Sequence, residues 1–481
     1  MKNYRIYLSY ITSFFTGAST LIIELIAFRI LAPYFGTSSY VTGIIINTVL
    51  FALALGYYLG GFFADKFNDF KIPFFLILFT CIYLFGIYIY YQKLLALIES
   101  RDVIPGSIIS VLIMFFIPMI ALAFVPTYLI KILAKVDNIG KTAGKIYSIS
   151  TFGSITGGII TTFILIPYVG SSKSFLISII ILFIISIIGL LTYSRSSVIL
   201  LLFIPLLFII KPVLKNDHSY YSKESQYNII KVSKTGDDLF LHLNNYSVYH
   251  SKSLDKDHLS KSYYDYFLFG PIVKEVKDVL ILGNCAGTTM SSLSGFFDLN
   301  ILAVEIDPEL TKIGKKYFNL ELNDKKKVIH QDARVFLRKN NKKFDMIIID
   351  LYSGSAHVPF HLATVEFFKS VYQSLNDDGI LLINIPGYAM YTELEKYYMS
   401  TIQNEFKYNF ILNHVLLSFK NETSKEEIID KLSQYDNNNA LKDFISNSIP
   451  SLEEYKKQPV KPFFTDDFSQ IDKLSFSNYK L

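Results

Sequence analysis

The sequence predicts an α-helical transmembrane bundle of six or seven spans, then a small antiparallel β-domain, then a doubly wound α/β domain. Three observations carry this. About the first 210 residues are rich in Ile, Leu, Phe and Gly and poor in charge, while the rest is rich in Lys, Asp, Asn and Glu. The overall apolar content of 51% is therefore concentrated in one half. Strands alternate with helices from Val279 onward, as in a parallel sheet covered on both faces. Finally, VLILGNCAGTTMSSLSGFFDLNILAVEID, from Val279 to Asp307, reads as strand, glycine turn, helix and second strand, with Glu305 at its tip. The boundaries drawn are 1–211 for the membrane domain, 212–272 for a linker and the β-domain, and 273–481 for the α/β domain.

Apolar runs long enough to span fall at 6–33, 40–62, 72–92, 107–134, 143–168 and 173–193. A seventh, Val198 to Ile210, is short and holds Pro205. Gly56 with Gly60, and Gly153 with Gly157, have the spacing of close helix–helix seams, a spacing that chance also produces. Met1 to Arg5 is too short for a signal-peptide n-region, so Ile6 onward reads as a retained span. Lys2, Arg5, Lys66, Lys71, Lys131, Lys135, Lys141, Lys145 and Arg195 place the N-terminus in the cytoplasm. Seven full spans would then put the α/β domain outside, away from a cytosolic nucleoside, so Val198–Ile210 reads as less than a full span. Glu24 lies inside the first span, with Arg29 five residues on. It reads equally as a polar site or as half of a Glu24–Arg29 contact.

In the polar half, Asn228 to Val232 and Leu239 to Leu243 flank the turn Gly236-Asp237-Asp238, a hairpin pattern. Tyr263 opens a helical stretch toward Pro271. Strands follow at Val279–Leu282, Ile301–Val304, Val328–His330, Met346–Ile349 and Ile380–Ile385, with helices at Pro308–Phe318 and Leu362–Leu375. Ligands of such sheets bind beyond the carboxyl ends of the strands. Gly283, Glu305, Asp332 and Asp350 all fall there. Gly283 and Gly287 let the backbone approach a ligand, and Glu305 is placed to take both ribose hydroxyls. Asp332 reads also as a helix N-cap. Cys81 and Cys285 offer neither a disulfide framework nor metal-ligand spacing, and no metal is expected. The net charge of +5 is scattered, without the basic and aromatic clusters of nucleic-acid binding, so a lipid bilayer is the expected large partner.

The segments ESQYNIIKV, YYDYFLFGP, VLILGNCAGTT, AVEIDPEL, IHQDARVFL, FDMIIIDLYSG, VPFHLATVEFF and FFTDDFSQID resemble the spermidine synthase family, the polyamine aminopropyltransferases. FFTGASTLIIELIAFRILAPYFGTSSY, LALGYYLGGFFADK and STFGSITGGIITTFILIPYVGSS resemble the membrane domain of its bacterial membrane-anchored branch. The resemblance implies a methyltransferase-like α/β fold, decarboxylated S-adenosylmethionine as co-substrate, and a small-molecule amine such as putrescine as acceptor. It implies a multi-pass protein of the cell (inner) membrane with its catalytic domain in the cytoplasm, and it is compatible with a homo-oligomer. In the family, a D-x-x-D segment follows strand four, and its first acid orients and helps deprotonate the amine. Asp350 matches that acid, and Ser353 stands where the second would be. Glu305 matches the ribose acid, Asp332-Ala333 the adenine-contacting pair, and Tyr227-Asn228 the family's Tyr-Gln pair, with Asn228 keeping an amide at the cofactor. Tyr263, Tyr264 and Asp265 match the segment facing the amine, and Tyr352 joins them as a ring able to face a cation. Ala286 occupies the place of the acid that holds the donor's amino group. Asp265, Asp466 and Asp467 are the acids available to replace the two lost ones. Ala286 and Ser353 also admit another S-adenosylmethionine-dependent transferase, such as a methyltransferase. A third reading is a membrane polyamine transporter or sensor whose α/β domain binds a nucleoside without turnover.

Overall fold

The structure is a computed structural model describing residues 3–67, 69–98, 102–134, 138–192, 219–244, 248–352, 358–385, 393–456, 459–461, 463–467, 471 and 474. The chain forms two compact units, 1–217 and 218–481. The segment read as a seventh run, Val198 to Ile210, and Ser353 lie outside the described residues.

Among the described residues of the first unit, six helices are long and apolar enough to cross a membrane: α1 (Tyr4–Phe35), α2 (Ser39–Lys66), α3 (Ile72–Ile98), α4 (Val103–Leu133), α5 (Ile139–Val169) and α6 (Ser171–Leu191). Even the 21 residues of α6 reach about 31 Å at ~1.5 Å per residue, the thickness of a hydrocarbon core. Two stretches wind as π-helix, Leu112–Phe116 and Thr161–Val169. Both glycine pairs are helix seams. A Cβ on Gly153 or Gly157 would strike the backbone of Phe14 or Ala18 on α1, and one on Gly56 or Gly60 would strike α4 at Ile120 or Phe124. Small residues here let the backbones touch, which dispersion alone can then hold. Large apolar side chains also face outward, among them Leu50, Phe51, Phe79, Ile82 and Phe163.

The second unit opens with a four-stranded antiparallel sheet of β1 (Tyr221–Glu224), β2 (Ile229–Thr235), β3 (Asp238–Leu243) and β4 (Ser251–Lys252), in that order. Ile230, Val232, Leu241 and Leu243 form its buried face and pack with Ala286, Leu310, Ile313 and Phe318. The small sheet thus covers the glycine turn.

Behind it lies an eight-stranded sheet of order β12-β10-β11-β9-β8-β5-β6-β7. β5 (Asp278–Leu282), β6 (Asn300–Glu305), β7 (Lys326–His330), β8 (Phe344–Ile349) and β9 (Leu375–Asn384) run parallel. β10 (Tyr408–Leu412), β11 (Val415–Phe419) and β12 (Leu452–Glu454) extend the β9 edge antiparallel, a part the sequence reading did not assign. The run Val279-Leu280-Ile281-Leu282 explains the central strand. Val279 and Ile281 enter one core and Leu280 and Leu282 the other, so both faces of β5 are buried. The chain proceeds β5, β6, β7 in one direction and then β8, β9 in the other. The crevice between the carboxyl ends of β5 and β8 is therefore the expected ligand position.

Candidate active site

Gly283 ends β5 with φ of +88°, and a Cβ there would strike the Asp350 carbonyl oxygen. Only glycine meets both demands. Gly287, at φ +91°, starts helix α7 (Thr288–Phe296), and a Cβ there would strike Leu320. Between them the Cys285 N–H donates to Glu305 Oε2 at 2.8 Å, and the Ala286 N–H donates to Ser251 Oγ at 3.0 Å. Glu305 Oε1 accepts from the Asp307 N–H at 3.0 Å. The acid at the tip of β6 therefore shapes the glycine turn as well as facing the crevice. Burial pushes its carboxyl up to about 7, against the backbone N–H groups that favour its charge.

Asn228 does not reach the crevice alone. Its Nδ2 donates to Asp307 Oδ2 at 3.2 Å, beside the Ser225 hydroxyl at 2.5 Å, while Asp307 Oδ1 caps helix α8 (Pro308–Tyr317). Its amide serves to fasten the small sheet to the segment following Glu305.

Asp350 ends β8 and is the centre of a second cluster. Tyr263 donates its hydroxyl to Oδ2 at 2.9 Å, and Asn384, at the end of β9, donates Nδ2 to Oδ1 at 3.0 Å. Burial pushes the Asp350 carboxyl up to about 6, although both hydrogen bonds favour its charged form. Tyr352 donates to the Asn384 carbonyl at 2.6 Å, so it braces this cluster from β9. The Tyr263 and Tyr264 ring centroids are 4.0 Å apart. Burial, and next the Asp350 charge, push the Tyr264 hydroxyl far up.

Asp265 faces the chain rather than the crevice with one oxygen: Oδ1 accepts from the Ser260 N–H at 2.8 Å and its hydroxyl at 2.7 Å. Its other oxygen is buried without a partner among the described residues. A cavity of about 460 Å³ adjoins this loop, bounded by Tyr263, Asp265, Tyr266, Asn413 and His414 among others. Tyr263 thus touches both the cavity and Asp350.

Asp332 caps helix α9 (Ala333–Lys339) through the Val335 N–H at 2.9 Å and meets His361 Nε2 at 3.3 Å, with Ala333 buried behind it. The imidazole holds the Asp332 carboxyl below the usual carboxylate range. Asp466 is spent elsewhere. It takes Arg334 at 2.5 Å and the Thr364 hydroxyl at 2.9 Å, so it cannot stand in for a missing amine-binding acid. Asn384, Ser251, Ser225, Asp307 and Arg334 escaped the sequence reading. Only Asn384 carried a usable signal, since it too ends a parallel strand.

The sheet order, with a glycine turn and an acid at its switch point, defines a Rossmann-like, methyltransferase-type domain. Residues 269–421, within the C-terminal unit, match the spermine/spermidine synthase domain family. Among similar proteins is a probable polyamine aminopropyl transferase of Bifidobacterium longum. It is 30% identical over 167 residues, which cover 34% of this chain and 37% of that one. An N-terminal histidine N-methyltransferase of Emericella nidulans is 34% identical over 115 residues, covering 23% and 20%. The chain thus spans well under half the length of either relative. The solved spermidine synthase of Thermotoga maritima aligns at 16% identity with a TM-score of 0.37, over 55% of this chain and 84% of that one.

Proposed function

We propose that the protein is a membrane-held transferase. It moves an aminopropyl group from decarboxylated S-adenosylmethionine to a small-molecule amine such as putrescine. The observation that carries this reading is the Asp350 carboxylate, with its pKa near 6, held by Tyr263 and Asn384 beside the glycine turn. The family match and the aminopropyl transferase relative support it.

The crevice fits a polar nucleoside. The Tyr264 hydroxyl and both side-chain polar atoms of Asn284 are buried without partners among the described residues, and a bound ligand would satisfy them. Each Glu305 carboxylate oxygen accepts from a backbone N–H, of Cys285 or of Asp307, and keeps a further lone pair for a ribose hydroxyl. The sulfonium donor supplies an activated carbon, whose bond to sulfur breaks with its electron pair left on a neutral thioether. What the protein adds is orientation and a proton acceptor. The amine must lose a proton to expose its lone pair. Asp350 is mostly ionised near neutrality and accepts that proton. Tyr263 aims the carboxylate, and the cavity that its ring lines is where we place the amine's carbon chain. No acid lies in the Gly283–Gly287 turn to hold a donor amino group. The buried Ala286 therefore favours a second reading, methyl transfer from intact S-adenosylmethionine.

We further read α1 to α6 as membrane spans, because they carry large apolar side chains on their outer faces as well as within. With Val198–Ile210 read as less than a full span, the six described spans put both ends of the bundle on one side, and the basic loops argue for the cytoplasmic side. Incubating the full-length protein with each donor and a panel of amines, and identifying the product by mass, tests the reaction. An aminopropylated amine supports it. A methylated product moves the assignment to the second reading.

A further inference from the structure

We infer that the α1–α5 seam ends in a binding site for an alkylammonium ion, with Glu24 as its counter-ion and Thr161 as a hydrogen-bond acceptor. The inference rests on reading α1 to α6 as a membrane bundle and is independent of the chemistry at Asp350. On α1 the seam is formed by Phe14, Gly17, Ala18 and Leu21, which meet Ser150, Gly153, Gly157 and Gly158 of α5. The Ser154 hydroxyl fixes the register by donating to the Gly17 carbonyl at 2.9 Å. Contacts advance together along both helices, so α1 and α5 run in the same direction here. The next step on α5 is Thr161, four residues past Gly157. On α1 it is Glu24, three past Leu21, on the Gly17 edge of the same face. Glu24 stands about 9 Å beyond Ala18 and Thr161 about 6 Å beyond Gly157 at ~1.5 Å per residue. Helical side chains lean back toward their N-terminus, which brings the long Glu24 side chain to the Thr161 level.

Two observations show that this end is not satisfied by the protein itself. Thr161 is 0% exposed, and its hydroxyl has no hydrogen-bond partner among the described residues. Thr12 and Ser19 of α1 share this state, whereas Ser9, Ser13 and Thr156 each donate to the carbonyl four residues back. Glu24 is half-buried, and neither an ion pair nor a hydrogen bond is seen for it among the described residues. A Glu24–Arg29 contact does not form, because five residues turn a helix by about 500°, leaving the two some 140° apart. Thr161 also begins the π-helical stretch, a winding that recurs at functional sites because it disturbs the regular backbone ladder.

The donor set selects the ligand class. One carboxylate and one hydroxyl are too few oxygens for calcium or magnesium, and no group of three or more His, Cys, Asp or Glu occurs among the described residues. An ammonium needs about three acceptors and brings an apolar chain, which the Leu21 side of the seam suits. The test is equilibrium binding of radiolabelled putrescine to the full-length protein in detergent, for wild type, Glu24→Gln and Thr161→Val. Glu24→Gln should lose one equivalent of bound putrescine while its transferase rate stays unchanged. Thr161→Val, nearly isosteric, should weaken that equivalent about tenfold, the scale of one lost hydrogen bond to a charge. Unchanged stoichiometry and affinity in Glu24→Gln overturns the inference. Should that variant not fold, unchanged affinity in Thr161→Val overturns it instead. Release of the protein by alkaline carbonate would refute the membrane reading, and absence of turnover in wild type would refute the transferase reading, each separately from this binding.

Discussion

Replacing Asp350 with Asn should remove turnover while leaving the nucleoside bound. The local structure tolerates the change. An asparagine oxygen can still accept from Asn384 Nδ2, and the Tyr263 hydroxyl can turn to accept from the new amide. What is lost is the capacity to take a proton. With a carboxyl near 6, the ionised form outweighs the protonated one by roughly thirty to one at about pH 7.5, so wild type keeps its base almost fully available. Loss of a positioned base costs about 10²–10⁴ in rate. The sign of the pH dependence follows from the same group. Wild-type kcat/KM should rise as pH increases through about 6 and level off above it, because only the ionised carboxylate accepts the proton. The assay is product formation against pH for both proteins, with nucleoside affinity measured in parallel. A variant of full activity, or one that keeps the limb near pH 6, refutes the assignment of Asp350 as the base.

Tyr263→Phe removes a hydrogen bond that favours the Asp350 anion, so the acidic limb should move to higher pH, with a smaller rate loss at neutrality than Asp350→Asn gives. A limb that stays or moves down contradicts the proposed contact. Glu305→Ala should weaken nucleoside binding by about 1.5–3 kcal/mol, the range for a charge-assisted hydrogen bond, as read by calorimetry. Because the Glu305 carboxyl sits at about 7, wild-type nucleoside affinity should also increase between pH 6 and 8 as the anion forms, and a flat profile argues against its role. Gly283→Ala forces a Cβ into the Asp350 carbonyl at positive φ, so it should cost at least about 1–2 kcal/mol in thermal unfolding of the full chain and abolish nucleoside binding. Full-length protein should stay in the membrane pellet after alkaline carbonate washing, and its appearance in the supernatant would remove α1 to α6 as spans.

Periodicity made the architecture legible where each element buries a long uniform surface. The six apolar helices and the five parallel strands fall close to the positions expected, because spans of over 20 residues and runs such as Val279–Leu282 leave little choice of environment. The strand-end rule also gathered Gly283, Glu305 and Asp350 on one rim. The antiparallel β10, β11 and β12 escaped notice because Tyr408–Leu412 and Val415–Phe419 are short, and a two-residue Asn413-His414 turn is not a strong hairpin signal. Side-chain direction escaped for a different reason. Asn228 looks like a ligand group in sequence, yet its amide is held by Asp307, 79 residues away. Asp466 looks like a spare acid, yet it answers Arg334, 132 residues away. Such pairings depend on tertiary contact, and no local pattern encodes them.

Ala286 puts no charge in the glycine turn, so the central claim turns on donor choice. The most direct test is a calorimetric titration of the full-length protein with decarboxylated and with intact S-adenosylmethionine, followed by identification of the product formed with putrescine. The account predicts that the decarboxylated donor binds at least about tenfold more tightly, a difference of ~1.4 kcal/mol, and yields the aminopropylated amine. Equal or tighter binding of intact S-adenosylmethionine, with a methylated product, would contradict it.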